Sequence, residues 1–121
     1  MKTRDFLEQY PGAVDIITKY YTKLMLETMT DDMPSNFKEY LEQRGFTLDE
    51  LSTLIDTNPR SLLDVFDEND IHASLDMRFE ERQVRFKVNI DGAISEQSFE
   101  KRKDAEEYMV YECIKFLNDK A

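Results

Sequence analysis

The stretch that decides the fold runs from Ile71 to Phe99 and reads IHASLDMRFEERQVRFKVNIDGAISEQSF. Apolar residues occupy odd-numbered positions from 71 to 79 and even-numbered positions from 84 to 90, with polar residues between them. Alternation with a period of two is typical of amphipathic strands. The dipeptide Asp91-Gly92 predicts a two-residue hairpin turn. The stretch therefore predicts three antiparallel strands, the third running from Ala93 to Phe99.

The alternation also predicts how the strands pair. If Phe79 lies opposite Val84, each apolar residue of the first strand meets one of the second, and all of them point to one face of the sheet. The Asp91-Gly92 turn then pairs Lys87 with Glu96. We therefore expect an apolar inner face. We expect the outer face to carry the cross-strand ladder Asp76, Lys87, Glu96.

Helical periodicity replaces the alternation before this stretch, where apolar residues recur three and four positions apart. Residues 3–9 form a short first helix or turn, and Pro11 opens a longer helix. A further helix spans about residues 34–44. The capping box Thr47-Leu48-Asp49-Glu50 starts another, and Asn58-Pro59 starts the last helix before the strands, with Asn58 as its cap.

One long helix is predicted after the strands, from about Lys101 to Asn118. Its apolar face contains Ala105, Met109, Cys113 and Phe116. We expect this face to cover the inner face of the sheet. The fold class is therefore α+β, with a helical N-terminal part (residues 1–69) followed by a three-stranded antiparallel meander and a long C-terminal helix (residues 70–121). Because neither part alone buries much surface, we expect a single domain, residues 1–121, with one shared core.

Composition excludes several classes of function. The chain has 121 residues and a net charge of −10, which repels nucleic acids and anionic membranes at long range. Its three Gly, one Cys and one His exclude a glycine-rich phosphate loop, an internal disulfide and any metal centre built from several Cys or His side chains. No signal or membrane-spanning pattern is visible, so we expect a reduced, cytoplasmic protein with no membrane partner.

No pattern of catalytic residues stands out. Cys113 lies on the predicted buried face of the last helix without a basic neighbour, which favours a structural thiol. The lone His72 lies on the outer face of the first strand. The acids between Asp64 and Asp70 lack the alternating spacing of a calcium loop. We therefore expect no enzymatic activity, no cofactor and no bound metal.

The segment from Pro59 to Leu117 has the order helix, strand, strand, strand, helix, and Lys101-Arg102-Lys103 opens its last helix. This topology resembles that of double-stranded-RNA-binding domains, and similar strand–strand–helix endings occur in phage-integrase arm-binding domains. The resemblance to the RNA-binding family implies that the basic cluster contacts phosphates across a groove. Glu106 stands where that family has a second basic residue, and the turn Glu80–Gln83 replaces its His-containing loop.

Residues 47–66 resemble the bacterial helix-turn-helix pattern in outline. Asp56 stands where that pattern favours Gly, and the second helix carries Arg60 against Asp64 and Asp67. Binding to DNA depends on neutralising phosphates, and an acidic helix repels them. We therefore interpret this segment as a helical hairpin with no role in DNA binding.

A mildly basic island interrupts the acidic chain at residues 78–103, which carry 7 basic and 5 acidic side chains. Its candidate nucleic-acid contacts are Arg78, Arg82, Arg85, Lys101, Arg102 and Lys103. These side chains are the site residues that the sequence singles out.

Three functions stay open after these exclusions. The favoured one is a small, acidic, non-enzymatic module that binds another, unidentified protein, because the chain carries six Tyr, eight Phe and six Met without a catalytic pattern. The second is weak nucleic-acid binding through the basic island. The third is an acidic mimic of nucleic acid that blocks a DNA- or RNA-binding protein, as phage inhibitors do. Two free sheet edges are also compatible with an edge-to-edge or helix-mediated homodimer.

Overall fold

The computed structural model describes residues 2–28 and 34–121. The helical part contains α1 (Thr3–Glu8), α2 (Pro11–Thr28), α3 (Ser35–Arg44), α4 (Leu48–Thr57), a 3-10 helix (Pro59–Leu62) and α5 (Leu63–Glu68). The strands β1 (Ala73–Glu80), β2 (Gln83–Ile90) and β3 (Ala93–Phe99) and the helix α6 (Arg102–Lys120) follow. This order confirms the predicted α+β fold class. The predicted end of the second helix falls mostly on residues 29–33, outside the described residues.

The two predicted caps before the strands have different outcomes. The Thr47 hydroxyl accepts the backbone N–H of Glu50, and the Glu50 carboxylate accepts the backbone N–H of Thr47, both at 3.2 Å, so the capping box is confirmed. The Asn58 side chain makes no capping hydrogen bond, so that part of the prediction is wrong. Here the backbone N–H and hydroxyl of Ser61 both donate to the Asn58 carbonyl, at 3.2 and 2.8 Å, and close a tighter 3-10 turn.

The predicted register of β1 and β2 is confirmed at every position from Ala73 opposite Ile90 to Glu80 opposite Gln83. Asp76 lies opposite Lys87, as the outer-face ladder requires. This agreement follows from the period of two, because a slip of one residue would move every apolar side chain to the other face.

The predicted register of β2 and β3 is confirmed at the turn and wrong beyond it. Ile90 pairs with Ala93, but Lys87 pairs with Ser98 instead of Glu96, because β3 bulges between these two pairs. The Ser95 hydroxyl accepts the backbone N–H of Val88 at 3.0 Å and donates to the carbonyl of Gln97 at 2.8 Å. This side chain therefore replaces the backbone partner that Val88 loses at the bulge.

The helix α6 supplies the centre of the core. Its buried residues are Ala105, Glu106, Met109, Val110, Cys113, Ile114 and Leu117. The apolar residues of this set pack with Ile17 of α2, Leu51 of α4, Phe66 of α5 and Val88 of β2 in one buried cluster. Phe116, predicted on the apolar face, is 47% exposed, because the stripe that faces the core is centred on Met109, Cys113 and Leu117.

The single thiol lies within this core. Cys113 is fully buried, as its place on the apolar face of the last helix predicted. Burial, followed by the charges of Asp91 and Glu112, raises the pKa of its thiol to about 12. Within residues 2–28 and 34–121, no helix is both long and apolar enough to cross a membrane.

Candidate functional site

The part of the inner face of the sheet next to the β1–β2 turn is exposed. Val88 is 1% exposed, whereas Val84, four residues closer to the turn on the same face, is 45% exposed. On β1 the corresponding side chains of Met77 and Phe79 are 66% and 74% exposed. We call Met77, Phe79 and Val84 the tip surface. The sequence predicted these side chains on the covered inner face, and that expectation is wrong for all three.

The position of α6 explains the exposure. The helix begins at Arg102, whose guanidinium carbon lies 5.6 Å from the centre of the Phe86 ring. Tyr108, in the second turn of α6, packs on Phe99 at 5.2 Å between ring centres. The first turns of α6 therefore stand over Phe86 and Phe99. The tip surface lies beyond them, nearer to the β1–β2 turn.

The bulge in β3 contributes to the same result. Without it, Phe99 would lie opposite Val84, but the extra residues of β3 place Phe99 opposite Phe86. The strand β3 ends there, so the last part of the β1–β2 hairpin is a two-stranded ribbon. Val84 has lost the apolar neighbour that the predicted register gave it.

The turn at the end of this ribbon has an unusual composition. Glu81 and Arg82 have backbone φ angles of 50° and 65°, and both side chains are exposed. Two-residue hairpin turns with both φ angles positive favour Asn and Gly, and the chain has neither here. The ladder of eight paired residues on each strand holds this turn in place.

The structure divides the six predicted nucleic-acid contacts into two groups. Arg85 is held on the outer face by Ser98, at 2.7 Å to its hydroxyl and 3.1 Å to its carbonyl, and by Glu100 at 3.3 Å. Arg78 lies 3.9 Å from the Asp76 carboxylate, and Arg102 lies over the Phe86 ring.

The other three cations are free of such contacts. Arg82, Lys101 and Lys103 are exposed, and none of them has a carboxylate within 4.0 Å among the described residues. Lys101 precedes α6 and Lys103 lies in its first turn, where the helix dipole already contributes positive charge.

Glu106 departs furthest from the pattern of the RNA-binding family. Its side chain is 10% exposed and lies 3.6 Å from Arg60. It therefore points into the protein, at a small cavity of about 260 Å³ between the 3-10 helix, β1 and α6. Leu63, Leu75 and Met109 also line this cavity. The position that carries a second basic residue in that family here carries a buried carboxyl side chain.

A larger cleft lies elsewhere, between α2 and α3. It has a volume of about 590 Å³, and its walls include Lys19, Lys23 and Arg44. Each of these cations already has a carboxylate partner, Asp15, Glu27 and Glu50 respectively. This pairing reduces the attraction of the cleft for an anionic ligand.

The remaining titratable side chains are scattered. His72 lies 2.9 Å from Asp67 on the surface, and this hydrogen bond raises the pKa of the imidazole above its ordinary value. Among the described residues, no three His, Cys, Asp or Glu side chains are grouped so that they could hold a metal ion.

Comparisons with protein-family models, curated proteins and solved structures found no match to this chain. The functional argument therefore rests on the geometry of the molecule. Sequence reasoning assigned Met77, Phe79 and Val84 to the correct face but missed their exposure. No sequence signal reports where a distant helix crosses a sheet.

Proposed function

We propose that this protein is a non-enzymatic module for protein–protein interaction and that the tip surface is where its partner docks. The observation that carries the proposal is the 74% exposure of Phe79, flanked by Met77 and Val84 on one face of a regular hairpin. Aromatic residues and Met are enriched in the buried centres of protein interfaces.

Folding stability gives no reason for these residue types. A side chain as exposed as Phe79 removes little apolar area from water, so a polar residue there would cost the fold little. Isolated apolar side chains on a surface need no explanation, whereas contiguous exposed apolar patches with a polar rim mark interaction sites. The ribbon also presents them on paired strands, so little conformational entropy is lost when a partner binds.

Site-specific photocrosslinking tests this proposal. We would replace Phe79 with p-benzoylphenylalanine and irradiate the protein, both purified and in an extract of its source cells. Tyr40 on α3, which is 57% exposed, provides a matched control at an exposed aromatic position outside the tip surface. We expect adducts of discrete mass at position 79 and not at position 40.

Competition shows whether those adducts reflect specific docking. An excess of unlabelled wild-type chain is expected to suppress the adducts, whereas an excess of the Phe79→Ser variant is not. Indistinguishable adducts at positions 79 and 40, or equal competition by both chains, would contradict the proposal.

A second candidate function is weak binding of nucleic acid. It is favoured by the exposure of Arg82, Lys101 and Lys103 near one end of the sheet without ion-pair partners among the described residues. The net charge of −10 opposes it. Screening confines that repulsion to about 8 Å at physiological salt, so a local patch can still hold a phosphate backbone.

Titrating labelled duplex RNA, duplex DNA and a single strand at two salt concentrations tests the second candidate. We expect weak, non-specific binding that disappears as salt rises, since each phosphate contact releases counterions. The Lys101/Arg102/Lys103→Ala triple variant is the matched control. Salt-resistant binding that the triple variant abolishes would place nucleic-acid binding ahead of protein docking.

A further inference from the structure

No strand of the described residues pairs with the outer edge of β1. Asp91 donates its backbone N–H to His72 at 2.8 Å, and Val88 donates toward β3, to Ser95 at 3.0 Å. Backbone groups of successive residues point to opposite sides of a strand, so the even-numbered residues of β1 bond to β2. The N–H and C=O groups of the odd-numbered residues 73–79 point away from the sheet. They have no backbone partner among the described residues.

The two edges of the sheet differ in the features that protect an open edge. Proteins protect edge strands with Pro, with bulges and with charged side chains, above all Lys. The strand β1 carries three charged residues, Asp76, Arg78 and Glu80. The other edge strand, β3, has a bulge at Ser95, whereas β1 is eight residues long, pairs with β2 without a bulge and contains no Pro, Gly or Lys. The two edges are therefore protected to different degrees.

We propose that β1 pairs antiparallel with β1 of a second copy of this chain, with the twofold axis at Met77. This inference rests on the proposed docking role of the tip surface and names its occupant. In this register Leu75 lies opposite Phe79 of the second copy, on the inner face. On the outer face, Asp76 lies opposite Arg78 of the second copy. Each contact occurs twice, as in any isologous interface.

Charge selects this register over its neighbours. The twofold axis can pass through a residue or between two residues. An axis between two residues would set inner-face side chains opposite outer-face ones, so only an axis at a residue is compatible with the pleat. An axis at Asp76 would place the two Asp76 carboxylates opposite each other, and an axis at Arg78 would do the same with two guanidinium groups. The axis at Met77 turns these charges into two opposite-charge pairs. An axis at Phe79 would also set unlike charges opposite each other, Arg78 and Glu80, but it would leave only residues 78–80 of each β1 in the ladder, whereas the axis at Met77 pairs residues 74–80. The even-numbered residues also form the non-hydrogen-bonded pairs, in which side chains lie closest.

Shape supports the same register on the inner face. Phe79 of the second copy lies beside Leu75, which lines the cavity of about 260 Å³ between the 3-10 helix, β1 and α6. Leu63 and Met109 provide further apolar wall. Phe79, the most exposed aromatic side chain, therefore lies beside the apolar wall of this cavity in the other copy, on the side away from Glu106 and Arg60, which also line it, and the contact is reciprocal.

Charge reversal at the edge provides the test. Asp76→Arg and Arg78→Asp each create like-charge contacts across the axis. The double variant Asp76→Arg/Arg78→Asp restores opposite charges. A mixture of the two single variants restores them only in a heterodimer. Glu39→Arg, on the exposed surface of α3, changes charge equally without touching the edge.

Sedimentation velocity over a range of concentrations measures the outcome, with circular dichroism to verify that each variant is folded. We expect the wild type and Glu39→Arg to dimerise equally. Each single variant is expected to raise the dissociation constant at least about tenfold, because two attractive contacts become repulsive. The double variant and the mixed single variants are expected to dimerise again. Rescue by the mixture cannot come from a folding defect.

The outcomes separate this inference from the proposed function. A wild type that stays monomeric, or a dimer that ignores both charge reversals, overturns the β1 pairing. If such a monomer still forms specific adducts at position 79 with another protein, the tip surface remains a docking site for a foreign partner. If it forms none, both proposals fail.

Discussion

Two valine-to-alanine substitutions on β2 measure how far α6 covers the sheet. Val88 and Val84 lie on the same strand and the same face, and their exposed fractions are 1% and 45%. Val88→Ala and Val84→Ala remove the same atoms from one strand, and the effect of such a change in a strand depends on the packing around the side chain. Any difference between them therefore reports the environment of each side chain.

The expected magnitudes follow from burial. Each buried methyl group contributes about 0.8 kcal/mol, so Val88→Ala loses about 1.6 kcal/mol from transfer. The cavity left in a packed core adds about 1 kcal/mol. Val84 is about half-buried, so roughly half of the transfer free energy is lost there, and no closed cavity forms. We therefore expect Val84→Ala to lower the free energy of unfolding by about 0.8 kcal/mol or less. We expect Val88→Ala to cost at least about 1 kcal/mol more than Val84→Ala.

Urea unfolding followed by circular dichroism gives both free energies of unfolding from one set of curves. The measurement is made at two protein concentrations, so that any contribution from self-association is visible as a concentration dependence. Equal losses at the two positions, or a larger loss at Val84, would refute the account in which α6 covers only the part of the sheet remote from the turn.

Three further outcomes are expected. Cys113, with its pKa near 12, should react slowly with a thiol reagent in the native protein and quickly in denaturant; fast native labelling would contradict its burial. The hydrogen bond with Asp67 raises the pKa of His72 above 6.5. This contact therefore stabilises the fold fully below a pH of about 6.5, and the stabilisation is lost as the pH rises through the pKa of His72 in the folded protein. Asp67→Asn should lower the His72 pKa in an NMR titration, and an unchanged value would argue against the contact. Thr47→Ala should cost about 1 kcal/mol in thermal unfolding because it removes a helix cap, whereas Thr53→Ala, which removes only a bond to the preceding turn, should cost much less.

Local sequence signals were sufficient for much of the fold. The alternation between residues 71 and 90 predicted two strands and the register of every pair between β1 and β2, because a period of two leaves only one arrangement with all apolar side chains on one face. The first strand begins at Ala73, two residues after the alternation starts. The capping box at Thr47 placed the start of α4. The two-residue turn after Ile90 placed the start of β3. Each of these features depends on residues that are close in the chain or directly paired.

The bulge and the environment of the basic residues were not predictable in this way. The Ser95 hydroxyl takes over the partner of Val88, a contact that competes with ordinary strand pairing. The alternation of β3 does not show whether the backbone N–H of Val88 pairs with a backbone carbonyl or with the Ser95 hydroxyl. Arg85 belonged to the basic island by sequence, but the bulge moves Glu100 level with it, and the Glu100 carboxylate lies 3.3 Å from its guanidinium group. One shift in β3 thus changed both the apolar and the charged side of the candidate site.

The sequence by itself determined which residues are helical, which are strands and which face of the sheet is apolar, because those properties follow from periodicity and turn residues. Only the tertiary structure decided which part of that apolar face α6 covers and which part stays open at Met77, Phe79 and Val84. The coverage depends on where a helix that begins at Arg102 crosses the sheet. That position is set by packing between residues far apart in the chain, on α2, α4 and α5, and no local pattern encodes it.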